Sequence, residues 1–405
     1  MRGPVVWLAA ALGTPAVAAA APVIGGSDAP AGMWPEVASV RFPEGSGSDQ
    51  PECTGTLIAP TVVLTAGHCA TLAEPPLPDT VLVGTNALDH PERGEVRHVG
   101  SAIEYPDSQA TYDLGVLVLT APSTFAPRAL ATGWARLAVR NGASIKLVGY
   151  GATDASGRRT VPALQEAAST ITDFDCTTSS GCHATARPDG ELGAGGMGID
   201  TCPGDSGGPL YVTTSFGTFL AGVTSRAYDG AAQACGGGGI YVRPEKVIAW
   251  MEQVAGVRVT HGPEPTLDAA LVVGADGADG AEGAEATVVA GDPLATEHVF
   301  AIAAPPAHGA AVVRADGRLR VCSDGGGAGV DAVTVTVTDA ADATRAVDQV
   351  FAIAVAAPAG GDCDPTAFAD GLGAGDGGGC CDAGAGAAGS IPLALGVLAI
   401  LRRRR

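Results

Sequence analysis

Short β-branched runs closed off by turn residues, with no long helical stretches between them, constrain the fold of this chain more than any other feature. Val62-Val63-Leu64-Thr65, Thr80-Val81-Leu82-Val83 and Gly115-Val116-Leu117-Val118-Leu119 sit between Pro, Gly, Asp and Asn turns. Ile145-Lys146-Leu147-Val148 and Phe219 to Thr224 continue the pattern. A parallel βαβ sheet needs strands alternating with helices of about 10–15 residues, and residues 23–255 show no such alternation. The spacing predicts an all-β unit. One helix closes it: Pro244-Glu245 opens a segment with Val247, Ile248, Trp250, Met251 and Val254 at helical spacing, and Gly256 ends it.

After Gly262-Pro263-Glu264-Pro265 the composition shifts toward Ala, Val, Gly and Asp. Ala286-Thr287-Val288-Val289, His298 to Ile302, Ala311-Val312-Val313, Val333 to Thr338 and Gln349 to Val355 alternate and are separated by Asp-Gly-rich turns. They predict a small β-sandwich over residues 264–357, with a thin core because large side chains are few. Ala307-His308-Gly309-Ala310, then Gly329-Val330-Asp331 and Thr338-Asp339, resemble the immunoglobulin-like modules found behind bacterial surface enzymes. The module has no aromatic stripe and no calcium-loop spacing, so a spacer role is expected.

Residues 358–390 are Gly/Ala/Asp-rich and read as a linker carrying a cysteine motif. Residues 391–405 combine the apolar Ile391 to Leu401 with Arg402-Arg403-Arg404-Arg405, expected as a membrane-spanning or sorting helix. Cys380-Cys381, a spacer, an apolar run and an arginine cluster resemble the C-terminal sorting signals of myxobacterial surface proteins. That resemblance implies a partner in cell-envelope sorting machinery. At the other end, Arg2, the apolar Val5 to Ala11 and the small residues Ala16 to Ala21 read as a signal peptide, with residues 1–22 covering it and a residual propeptide. Export leaves the ten cysteines free to form disulfides outside the cytosol, at the cell surface or beyond it. With 43 acidic against 23 basic residues, the formal charge is −20, which argues against nucleic-acid binding.

Hydrolysis by a serine needs a base to take its proton, a group to orient that base and donors for the developing oxyanion. Leu64-Thr65-Ala66-Gly67-His68-Cys69, Asp113-Leu114-Gly115-Val116-Leu117 and Gly204-Asp205-Ser206-Gly207-Gly208-Pro209 supply these types in the order His, Asp, Ser. The three segments and their order resemble the chymotrypsin/trypsin family of serine peptidases, over residues 23–258. The resemblance implies a double six-stranded β-barrel with a C-terminal helix, acting as a monomer on polypeptides without cofactor or metal. It implies that Ser206 attacks, His68 shuttles the proton, Asp113 orients His68, and the amides of Gly204 and Ser206 form the oxyanion hole. The competing reading, an inactive homologue kept for surface binding or adhesion, loses ground because the triad and the oxyanion segment are all present.

The same resemblance makes Val23-Ile24-Gly25-Gly26 a mature N-terminus whose freed amino group pairs with Asp205 in a zymogen switch. Pro22 precedes it instead of Arg or Lys, so activation by removal of Ala21-Pro22 is expected. Disulfides Cys53–Cys69 and Cys202–Cys235 are implied; Cys176 and Cys182, left over and close in sequence, are assigned to each other. The specificity pocket comprises Asp200, six residues before Ser206, with Ser225, Arg226, Ala227 and Gly239. A carboxylate at its base implies cleavage after Arg or Lys. Arg226 stands where the family usually has tryptophan, and is expected to repel basic or attract acidic substrate groups; Ala227 narrows the approach slightly.

Overall fold

The computed structural model describes residues 22–43, 53–71, 76–186, 189–274, 283–324, 329–355 and 363–368. A two-residue strand, β1 (Ser27–Asp28), precedes the first barrel. That barrel is made of β2 (Val37–Arg41), β3 (Cys53–Ala59), β4 (Val62–Thr65), β5 (Thr80–Val83), β6 (Glu95–Glu104) and β7 (Gly115–Leu119). Its strands close in the order β2-β3-β4-β7-β6-β5, antiparallel throughout. β3 and β4 are buried at every position, because each has two apolar surroundings. Val40, Leu57 and Val63 fill the barrel interior. Ile58, Val62 and Leu64 join Val148, Tyr150, Tyr211 and Leu220 in a cluster shared with the second barrel. A strand buried on both faces reads as an unbroken apolar run, which is how these segments read.

The second barrel comprises β8 (Ser144–Gly149), β9 (Gln165–Asp173), β10 (Glu191–Ala194), β11 (Pro209–Thr214), β12 (Gly217–Ala227) and β13 (Gly239–Val242). It runs β9-β10-β13-β12-β11-β8, the β8–β9 pairing closes the ring, and β1 pairs with β9. The helix Ile248–Ala255 follows. Its Met251 is buried in the cluster between the barrels, and Gly256 terminates it at φ +69°, the left-handed conformation glycine adopts at low cost. The expected double barrel with a closing helix is the observed one.

Beyond residue 264, β14 (Thr266–Leu267), β15 (Leu271–Val273), β16 (Ala284–Val289), β17 (His298–Ala304), β18 (Gly309–Val313), β19 (Arg318–Ser323), β20 (Gly329–Asp339) and β21 (Ala346–Val355) form two four-stranded sheets. Their orders are β14-β16-β19-β18 and β15-β21-β20-β17, the arrangement of a small sandwich. Its core of Leu271, Val288, Leu319, Val333, Val335, Val337 and Ile353 is thin, and Trp134 of the barrel unit completes it. Trp134 sits on the turn Gly133–Arg136, is 1% exposed, and donates Nε1–H to the Ala290 carbonyl at 2.7 Å. Gly133 is required at φ +49°, since a Cβ there would strike the Pro263 carbonyl and Glu264. Cys322 is bonded to Cys363, so the start of the stretch expected as linker is tied to the sandwich.

One expectation is overturned. No helix among the described residues is long and apolar enough to cross a membrane, so a transmembrane helix is withdrawn. The leader at residues 1–21, Cys380-Cys381 and the tail at 391–405 lie outside the described residues.

Candidate active site

His68 lies on a single 3-10 turn, Gly67–Cys69, that follows β4 across one residue. Gly67 is needed because a Cβ would come within 2.7 Å of Ser108 Cβ and 3.0 Å of Asp113 Oδ1. That close approach lets the His68 amide donate to Asp113 Oδ1 at 2.9 Å while His68 Nδ1 stands 2.9 Å from Oδ2. Ser225 Oγ donates to the same Oδ2 at 2.6 Å. Burial pushes the Asp113 carboxyl up, but the hydrogen bonds from the His68 ring, Ser225 and the His68 amide outweigh it and hold the group below its usual range. With a carboxylate at Nδ1, the proton is assigned to that nitrogen, which leaves the Nε2 lone pair as a base.

The Ser206 carbonyl lies 3.9 Å from Cys69 Sγ, beside the histidine turn. Thr54 N donates to the Ser206 carbonyl at 2.8 Å, and Thr54 Oγ1 to the Gly204 carbonyl at 2.8 Å. The neighbouring Cys53 is bonded to Cys69, next to His68. Gly207 N donates to the Thr224 carbonyl at 2.8 Å. The serine segment and the histidine turn are thus fastened to adjacent residues of β3, Thr54 and Cys53. Gly204 has φ +95° and Gly207 φ +81°, conformations that turn the chain sharply around Ser206.

Asp205 is fully buried and accepts hydrogen bonds from Cys202 N and Gly151 N, each at 2.8 Å. Burial pushes its carboxyl up to about 7, with the charge of Asp200 adding to the effect and the two amides opposing it. Val23 is fully buried, and the Ile24 carbonyl accepts from Asp200 N at 3.2 Å. The segment expected as the mature N-terminus is therefore packed inside the second barrel, beside the loop leading to Ser206.

Asp200 is 2% exposed and takes three backbone amides: Thr201 at 2.8 Å, Gly236 at 3.0 Å and Gly238 at 2.9 Å. Burial raises its carboxyl, and these amides counteract that. Cβ atoms added at Gly195 and Gly239 would lie 3.4 and 3.6 Å from Asp200 Oδ1, so both glycines keep space open beside the carboxylate. Ala227 pairs with Gly239 across β12 and β13. Cys202–Cys235 and Cys176–Cys182 are both bonded.

The expectation for Arg226 needs correction. Its Nη2 is 2.8 Å from Glu191 Oε1 and 2.7 Å from the Gly181 carbonyl, while Nη1 donates to Ser225 Oγ at 2.9 Å. The guanidinium is turned into the protein and paired, so it is no open lure for substrate acids. Glu191 was missed in the sequence. It belongs to no motif, and the available signal was a lone acid opening the apolar strand Glu191-Leu192-Gly193-Ala194. Among the described residues, the close His/Cys/Asp/Glu groups are Cys53-His68-Cys69 and Cys176-Cys182-Glu191. Their cysteines are disulfide-bonded and offer no thiolate to a metal.

A family profile for trypsin matches residues 23–251. Similar proteins include a trypsin of Saccharopolyspora erythraea, 34% identical over 226 residues, covering 55% of this chain and 92% of the relative. A "Serine protease snk" of Drosophila melanogaster is 27% identical over 255 residues, 58% of this chain. The chain spans 57% of that relative's length. With both barrels, the two-barrel seam and this match in agreement, the chain belongs to the trypsin family of serine peptidases.

Proposed function

We propose that the protein is an exported serine endopeptidase that hydrolyses peptide bonds after Arg or Lys. The observation that carries this reading is the buried Asp113 carboxylate facing His68 Nδ1 at 2.9 Å, beside a cysteine, Cys69, that is bonded to the strand whose Thr54 amide holds the Ser206 carbonyl. In the proposed reaction Ser206 Oγ attacks the scissile carbonyl as His68 Nε2 takes its proton. His68 then gives that proton to the leaving amine, and water repeats the sequence on the acyl-enzyme. Asp113 holds the ring and stabilises the imidazolium. The Gly204 and Ser206 amides bind the oxyanion, each such donor being worth about 3 kcal/mol.

Asp200 supports the preference for basic residues: a buried carboxylate between two glycines offers a charged floor to a long cationic side chain. Liberation of Val23 activates the enzyme in this reading, because its amino group gives buried Asp205 a cation. Bonded disulfides support an oxidising compartment outside the cytoplasm. Retention at the cell surface by the segment from Cys380 onward rests on its sequence pattern.

The test compares peptides that differ only at the residue before the scissile bond. Wild type is expected to cleave after Arg and Lys, Ser206→Ala to be inactive, and Asp200→Ser to lose the preference. Equal rates for wild type and Ser206→Ala would leave the inactive binding homologue as the better reading.

A further inference from the structure

We propose that the buried Glu191–Arg226 pair is a positioning device for Asp113, acting through the Ser225 hydroxyl. The proposal rests on the triad reading above. Glu191 opens β10 with its side chain fully buried. Its Oε1 meets Arg226 Nη2 at 2.8 Å, and its Oε2 accepts the His183 amide at 2.7 Å. Arg226 also spends Nε and Nη2 on the Gly181 carbonyl, at 3.2 and 2.7 Å, so its planar fork is held on two sides. What remains is Nη1, aimed at Ser225 Oγ at 2.9 Å.

That last bond decides what Ser225 does. A hydroxyl has one proton, and a guanidinium N–H cannot accept it. With Arg226 donating to Ser225 Oγ, the Ser225 proton is committed to Asp113 Oδ2, 2.6 Å away. Without Arg226 the hydroxyl is free to rotate. Glu191 balances the guanidinium, so the device brings little net charge toward the site. Glu191 also reaches Asp113 by a second route, since His183 Nδ1 donates to the Thr111 carbonyl at 2.6 Å, two residues before Asp113. The groups that face Asp113 are His68 and Ser225, with Arg226, Glu191 and His183 behind Ser225. On the other side Ser108 stands beside Gly67, with Glu104 behind it.

The sign of the effect follows. Loss of the Ser225 donor makes the Asp113 carboxylate a stronger partner for imidazolium, and loss of the nearer positive charge acts the same way. Both favour protonated His68, so the acid limb of kcat moves to higher pH.

The test uses the processed, active protein and the double variant Glu191→Met/Arg226→Met, which removes both charges at similar volume. Measured are kcat and KM for a peptide with Arg before the scissile bond across pH, and the melting temperature. Expected are a folded protein, kcat lower by roughly tenfold or more from misplacement of the base, KM nearly unchanged, and an acid limb shifted upward. A folded double variant with unchanged kcat and unchanged limb overturns the proposal. Should that variant fail to fold, Arg226→Lys gives the same readout, since one ammonium cannot span Glu191, Gly181 and Ser225 together; an unchanged profile there overturns it as well. Ser206→Ala runs beside both. Activity that survives Ser206→Ala removes the triad reading itself, whereas Ser206-dependent activity indifferent to Arg226 removes only this inference.

Discussion

Ser225 Oγ and His68 Nδ1 converge on one oxygen of Asp113, at 2.6 and 2.9 Å, while the other oxygen holds the His68 amide at 2.9 Å. The carboxylate is therefore fixed at both ends, and the ring it faces has one tautomer to adopt. Asp113→Asn would offer an N–H or a neutral oxygen to Nδ1 and favour the wrong tautomer. Its kcat is expected to fall about ten-thousandfold with folding intact, the size of effect known for this substitution in chymotrypsin-like enzymes. Steady-state kinetics beside a melting curve check it.

Asp205 gives a pH dependence with a definite sign. Its carboxyl stands at about 7 in the unprocessed fold, against an ordinary 3.8 when unfolded. Between those values the folded chain binds more protons than the unfolded one, so stability falls as pH rises from about 4 to about 7. The full shift corresponds to at most about 4 kcal/mol. Melting the unprocessed protein across that range is expected to show the loss, and Asp205→Asn to flatten it. Protein processed to start at Val23 is expected to lack it too, because the freed amino group favours the ionised carboxylate. A flat profile in the unprocessed wild type would refute the argument.

Gly207 follows Ser206 directly, at φ +81°, and a Cβ there would strike Thr65 Oγ1 and the Thr54 carbonyl. Gly207→Ala combines a left-handed backbone, costing about 1–3 kcal/mol, with a clash against the strand that positions Ser206. The expected result is a lower melting temperature and near-complete loss of activity. The contrasting substitution is Gly142→Ala, where φ is +77° but a Cβ would meet nothing within 4 Å; it should cost stability alone.

How much of this was legible in the sequence differs by the kind of residue. β4, β5 and β7 read cleanly because their apolar runs are uninterrupted, being buried on both faces or filling a barrel. β6 and β9 are not legible, since Glu95–Glu104 and Gln165–Asp173 mix polar, small and isolated apolar residues without an apolar run. His68, Asp113, Asp205 and Ser206 stand out as candidates because each sits in a short contiguous motif, and Asp200 because of its fixed spacing from Ser206. The Glu191–Arg226 contact was not, because it joins β10 to β12 across the barrel. A charge read from sequence has no partner until the sheet is closed. The same limit hid Trp134, an apolar residue outside any strand, whose burial depends on a second unit more than a hundred residues later.

That tryptophan makes the sandwich more than a separate spacer. Trp134 lies among Leu271, Val288, Val335 and Phe351, its Nε1–H bonds the Ala290 carbonyl, and the Arg345 guanidinium lies 5.6 Å from its ring. Arg345 is in turn held by Asp292 at 2.7 and 2.8 Å, so the indole is enclosed on several sides. Trp134→Ala should cost about 3–5 kcal/mol, the usual penalty for emptying an indole site. Trp134→Phe should keep most of the packing and lose about 1 kcal/mol for the missing hydrogen bond. Because Trp134 belongs to neither the proposed triad nor the proposed pocket, the damage is expected in the sandwich: faster limited proteolysis between residues 264 and 290, with kcat unchanged below the new melting temperature. A sandwich that hung from the enzyme as an independent bead would resist proteolysis equally in wild type and Trp134→Ala, and that equality would refute the shared core.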